Sequence, residues 1–168
     1  ADPGCLGGRG GFDRAISAAG GPKLRDARAK LPVVAGGGAK PIRCPNGEAR
    51  MTIGGSLKAR FCIHAVGPHY NRTTPFEESD ALLVSAFQAA LTCGRSKKLK
   101  TIAFMPISAG HFRGPQTMQR VLECAIEGIV SGIYDELREV HLVLSSSVER
   151  GSKENPMLLT KAICDSIA

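Results

Sequence analysis

From residue 60 onward the chain alternates between two hydrophobic periods. Apolar runs at 60–66, 100–105 and 140–144 have the length and the branched and aromatic content of strands. Between the first two lies 76–93, where Leu82, Leu83, Ala86, Phe87, Ala90 and Leu91 recur at helical spacing. A second helical stretch, 115–133, starts with Pro115 in its first turn, and a closing helix is expected over 155–167. Strand, helix, strand, helix, strand requires crossover connections, which pair strands in parallel with a right-handed sense. The expected fold class is α/β: a three-layer α/β/α sandwich around a mixed, mostly parallel central sheet.

Upstream the pattern is more broken. Residues 12–20 read as a short helix stopped by Gly20-Gly21-Pro22, and 23–31 continue as a polar helical stretch. Residues 32–45, rich in Gly and Pro, read as an exposed excursion. Residues 48–53 read as a strand, turned into the next by Gly54-Gly55-Ser56. A length of 168 residues with 43% hydrophobic content suits one full core, so a single domain over 1–168 is expected.

Two loops carry the chemical signal. Residues 104–115, F-M-P-I-S-A-G-H-F-R-G-P, take a buried strand into small residues ahead of a helix. Backbone N–H groups in such a loop, at a helix N-terminus, cradle phosphate. Small residues are needed because the main chain itself must reach the phosphate oxygens. Residues 6–13, L-G-G-R-G-G-F-D, form a second loop of this kind. Two such loops point to a ligand with two phosphates, seated beyond the carboxyl ends of the strands. No strand precedes the first loop in this sequence, so the chain is expected to lack the element that delivers it.

Charge and composition narrow the partners. The net charge of +7 favours anionic ligands. Without Trp and with only two Tyr, the chain offers little for stacking bases, so nucleic acid is not the expected partner. The densest basic run, Arg95-Ser96-Lys97-Lys98-Leu99-Lys100, reads as a solvated helix end. No apolar run approaches the roughly 18 residues of a membrane span, and no signal-peptide pattern opens the chain. An intracellular location, cytoplasmic or nuclear, is expected. The cysteines (Cys5, Cys44, Cys62, Cys93, Cys124 and Cys164) have no C-x-x-C spacing; no metal site is expected, and a reducing compartment fits.

Several segments, in order, resemble the macrodomains, a family that binds ADP-ribose. Residues 6–16, L-G-G-R-G-G-F-D-R-A-I, are similar to the family's glycine loop and helix start. Ala18-Ala19-Gly20-Gly21-Pro22 resembles its A-A-G-P, and Cys44-Pro45-Asn46-Gly47-Glu48-Ala49 its C-P-T-G-E-A. F-C-I-H-A-V-G-P at 61–68 and the loop at 104–115 match two further motifs. The closest likeness is to the subgroup that hydrolyses ADP-ribosyl esters and O-acetyl-ADP-ribose. The resemblance implies that Gly8, Gly10 and Gly11 approach the diphosphate and the distal ribose. It implies that Ser108, Ala109, Gly110, His111 and Phe112 wrap the diphosphate, with Phe112 near the distal ribose. Asp13 matches the acid that helps activate water. The implied partner is ADP-ribose or an ADP-ribosylated protein; no cofactor is implied and a monomer is expected. A non-catalytic reader of the modification is the alternative.

The residues keep their plainer readings too. Asp13 also reads as an N-cap or first-turn acid, His64 as a core histidine, and Phe112 as a packing residue. Ser108 also reads as a turn cap, His111 as a solvent-facing loop residue, and Arg9 as either a phosphate partner or a solvent-facing cation. The chain also departs from the family. Its N-A-A-N element is reduced to Ala1-Asp2, and the acid that reads adenine is absent. Ser17 stands where the subgroup often has His, Arg113 replaces a loop glycine, and Ser145 falls near the adenine-stacking aromatic.

Overall fold

The first strand pair is a hairpin. Ala49–Ile53 (β1) and Phe61–Ala65 (β2) run antiparallel, with Ala49 opposite Ala65 and Ile53 opposite Phe61. The 54–60 connection is too short to hold a crossover, so the parallel pairing expected of the later strands does not extend here. The computed structural model describes residues 1–7, 10–36, 41–71 and 75–143. The closing helix expected over 155–167, Ser145, Gly8 and Arg9 lie outside the described residues.

Alternation sends the hairpin's side chains to two faces. One face carries Ala49, Ile63 and Ala65, which pack into the main core beneath Phe76–Ser96 (α2). The other carries Thr52, Cys62 and His64 and is covered by Gly11–Ala29 (α1). Helices thus lie on both sides of the hairpin, as the expected layering requires. α1 is two helical segments joined at Gly21, whose φ of 65° and ψ of −164° break the helix ahead of Pro22. The Gly20-Gly21-Pro22 stop is therefore real, and the chain resumes helix at once, as the polar stretch over 23–31 foretold.

α2 buries Leu83, Ala86, Phe87, Ala90 and Leu91, the stripe its spacing foretold. Met118–Gly132 (α3) packs alongside it through Val121, Cys124, Ala125 and Ile129. Between them in sequence lies Thr101–Phe104 (β3), which pairs in parallel with Glu139–Leu142 (β4). The Phe104 ring lies 5.4 Å from that of Phe87. The described strands thus form two two-stranded sheets, one antiparallel and one parallel, so the pairing is mixed. One expectation fails: Pro115 is not in the first turn of α3. Thr117 is the N-cap, its hydroxyl accepting from the Arg120 N–H at 3.1 Å, and Pro115 stays in the loop before it. Among the described residues no helix is long and apolar enough to cross a membrane, and the cysteines are free thiols.

His64 is a satisfied core residue. It is 2% exposed, with Nε2 2.8 Å from the Thr52 hydroxyl. Burial, reinforced by the nearby Arg28 cation, lowers its pKa from 6.5 to about 3. The unfolded chain protonates this ring below 6.5 and the folded chain does not until about 3. Folding stability should therefore rise with pH across that window and fall as acid is added. Urea titrations at stepped pH should show this slope, and His64→Gln should flatten it. An equal slope in the variant would assign the acid sensitivity to other groups.

Candidate functional site

The first loop enters through Cys5, whose φ of 55° is left-handed. Its side chain is sealed against Cys44 and Val66. Hydrogen bonding between the thiols pulls Cys5 below the ordinary thiol range and pushes Cys44 above it. The chain then turns through Gly7, at φ 102°. Gly10 is the N-cap of α1 and offers no side chain to the helix. Among the described residues, a Cβ at Gly10 or Gly11 would meet nothing within 4 Å. The result is a bare helix N-terminus facing open space, the arrangement that leaves backbone N–H donors for an anion.

Asp13 sits in the first turn of α1 but does not cap it. Its Oδ1 accepts from Arg28 Nη2 at 3.1 Å. Arg28 is 3% exposed, and its Nη1 donates to the Ser17 hydroxyl at 2.7 Å. Ser17 in turn donates to the Asp13 carbonyl at 2.6 Å. The first loop rests on this group: a Cβ on Gly7 would lie 2.8 Å from Ser17 Oγ and 3.3 Å from Arg28 Nη1. Arg28 thus clasps the two halves of α1 across the Gly21 break. The sequence placed it in a plain polar helix; its only sign was the short Ser17 one helical turn from Asp13.

The second loop leaves β3 and folds back on the segment that follows β2. Ser108, at φ 57°, turns its hydroxyl inward to the Pro68 carbonyl at 2.7 Å, so only its main chain faces outward and it caps no following turn. Ala109 packs on the core. Gly110 is open, with nothing within 4 Å of an added Cβ. His111–Arg113 form a single 3₁₀ turn, placing His111 and Phe112 at the surface. The segment from Gly67 holds this loop along its length. A Cβ on Gly67 would meet Ile107 Cγ2 and Ser108 Oγ, each at 2.5 Å. The Tyr70 N–H donates to the Phe112 carbonyl at 2.9 Å.

A buried carboxylate ties the loop to the helices. Asp80, on the first turns of α2, accepts from the Tyr70 hydroxyl at 2.7 Å, Gln116 Nε2 at 3.2 Å and Arg120 Nε at 2.7 Å. Burial first, then the bond to Asp80, hold the Tyr70 phenol above its ordinary range. Asp80 likewise raises Arg120. None of these anchors stood out in the sequence, because α2 read simply as an amphipathic helix.

The end of β2 lies between the two loops. Val66 packs with Cys5 beneath the first, and Gly67 and Pro68 contact the second. Three of the residues expected at a site, Gly10, Gly11 and Gly110, therefore border open space in loops held by one strand end. Among the described residues no cluster of His, Cys, Asp or Glu could hold a metal ion.

The Macro domain family model matches residues 3–122. A macro domain-containing protein of Vibrio parahaemolyticus is 41% identical over 115 residues, 68% of this chain and 62% of its own length. The chain thus spans less than two thirds of that relative. An O-acetyl-ADP-ribose deacetylase of Escherichia fergusonii is 38% identical over 109 residues, 65% of this chain and 57% of its own. Among solved structures, the Oceanobacillus iheyensis macrodomain with ADP matches with a TM-score of 0.79 at 29% identity, covering 99% of this chain and 82% of that one.

Proposed function

The chain belongs to the Macro domain family, and from that premise we propose that it binds ADP-ribose between its two glycine loops and hydrolyses an ADP-ribosyl ester. The observation that carries the reading is the pair of loops. Each is delivered through a left-handed residue that is not glycine, Cys5 or Ser108, and each opens a glycine toward solvent. Such backbone is costly and persists where surrounding packing enforces it. Both loops expose main-chain donors, and a diphosphate is the ligand that engages two donor sets at once. The relative named an O-acetyl-ADP-ribose deacetylase and the structure solved with ADP support that ligand class.

In the hydrolytic reading, water adds across the ester that links ADP-ribose to a carboxyl group. The products are free ADP-ribose and the free acid. Asp13 orients or deprotonates that water, while the loops hold the diphosphate and place the distal ribose. One observation favours the second reading, a reader without turnover: the Asp13 carboxylate is already paired with the buried Arg28.

Calorimetric titration tests the binding step. ADP-ribose should bind at least about tenfold more tightly than AMP, a difference of roughly 1.4 kcal/mol, because AMP fills only one donor set. Equal affinities would end the two-loop reading. Release of ADP-ribose from a protein modified on a carboxylate separates the hydrolase from the reader.

A further inference from the structure

We propose that His69 is a positioning residue that fixes the Phe112 ring and thereby sets the preference for ADP-ribose over ADP. The proposal rests on the ADP-ribose reading above and extends it to a residue outside both loops.

Phe112 is unusual for an aromatic residue in being 41% exposed. His69 stacks on it, with ring centroids 4.6 Å apart and planes 29° apart. A ring with one face covered and much of its surface open presents its other face to whatever occupies the site. His111 cannot replace the stack: it meets Phe112 at 6.0 Å with planes at 55°, and meets His69 edge-on at 5.6 Å. An unrestrained surface phenyl ring would lose rotamer freedom on covering a ligand, and that loss weakens binding. A ring already held by an aromatic partner loses less.

The two positions flanking His69 are hydrogen-bonded independently of its side chain. The Pro68 carbonyl accepts from the Ser108 hydroxyl, and the Tyr70 N–H donates to the Phe112 carbonyl. Removing the imidazole therefore leaves the backbone of both segments tied. The expected consequence falls on the ring and on the part of the ligand it covers. Open glycine N–H groups serve the diphosphate, which ADP shares with ADP-ribose. The apolar Phe112 face suits the C–H surface of the additional sugar, which only ADP-ribose carries.

The test is the ratio of ADP to ADP-ribose dissociation constants by calorimetry, for the parent, His69→Ala, His69→Phe, Phe112→Ala and the double alanine variant. In the parent, ADP-ribose should bind more tightly than ADP. His69→Ala should lower the ratio by roughly 3- to 10-fold, the scale of one aromatic pair and one immobilised side chain, with ADP affinity within about twofold of the parent. His69→Phe should restore the ratio, since it keeps a stacking ring. The double variant should match Phe112→Ala, because His69 acts through Phe112. An unchanged ratio in His69→Ala, or an equal loss of ADP affinity, would overturn the assignment while leaving ADP-ribose binding intact. A parent that binds neither ligand would instead overturn the ADP-ribose reading, and this inference with it.

Discussion

Asp13→Ala should lower release of ADP-ribose from a carboxylate-linked substrate by roughly 10²-fold or more, the scale on which loss of a general base acts. It should also destabilise the fold, for a reason separate from chemistry. Arg28 is 3% exposed and has Asp13 as its carboxylate partner. Removing one member of a buried pair strands the other, typically at about 3–5 kcal/mol. A simple helix cap would give only about 1 kcal/mol, and the N-cap position here is Gly10, not Asp13. Two further variants divide the effects. Asp13→Asn keeps a side-chain oxygen for Arg28 but is a far weaker base. Arg28→Met breaks the pair and leaves the acid in place. If Asp13 prepares water, Asp13→Asn should lose rate while largely folded, and Arg28→Met should lose mainly stability. If the pair is only a clasp, both should keep the parent rate per folded molecule, as measured by turnover at substrate saturation beside urea denaturation.

Gly110→Glu should abolish ADP-ribose binding without unfolding the chain. The added Cβ meets nothing within 4 Å among the described residues. What changes is charge. A carboxylate about 4 Å from a phosphate oxygen repels it by about 4 kcal/mol at an effective dielectric near 20, roughly three orders of magnitude in affinity. Circular dichroism and the denaturation midpoint should match the parent, and calorimetry should show no heat of binding. Unchanged affinity would remove the second loop from the site.

The parts of this fold that sequence made legible are those written in local patterns. The α2 stripe from Leu82 to Leu91 and the strand–loop–helix passage through residues 104–115 depend on neighbours a few positions apart, and periodicity reports such neighbours. The start of α3 was misplaced because Pro115 and Thr117 both suit a helix start, and the Thr117 hydroxyl decides between them. The hairpin was legible in the Gly54-Gly55-Ser56 turn, since a connection that short leaves no room for a crossover. The clasp at Arg28, the knot at Asp80 and the stack at His69 were invisible for another reason. Each joins residues far apart in the chain, as Asp80 does with Gln116 and Arg120, separated by 36 and 40 positions. A polar residue on an amphipathic helix gives no sign of whether it meets water or a distant partner. Glycines at the two loops were legible because their role is steric and local; what holds the loops in place was not.

The Asp80 knot has a consequence for how the molecule opens. The Tyr70 amide proton is held by the Phe112 carbonyl, and the Tyr70 hydroxyl is held by the same carboxylate that grips Gln116 ahead of α3 and Arg120 within it. The 105–116 loop is therefore tied through one carboxylate to both α2 and α3. Amide exchange with deuterium at Tyr70 should follow the slowest, global opening of the domain instead of the fast local fraying usual for surface loops. Asp80→Ala should uncouple the two, so that Tyr70 exchanges well before the amides of the α2 core. In the parent, a ligand seated on the loop should then slow exchange in the helices as well, and in Asp80→Ala it should not.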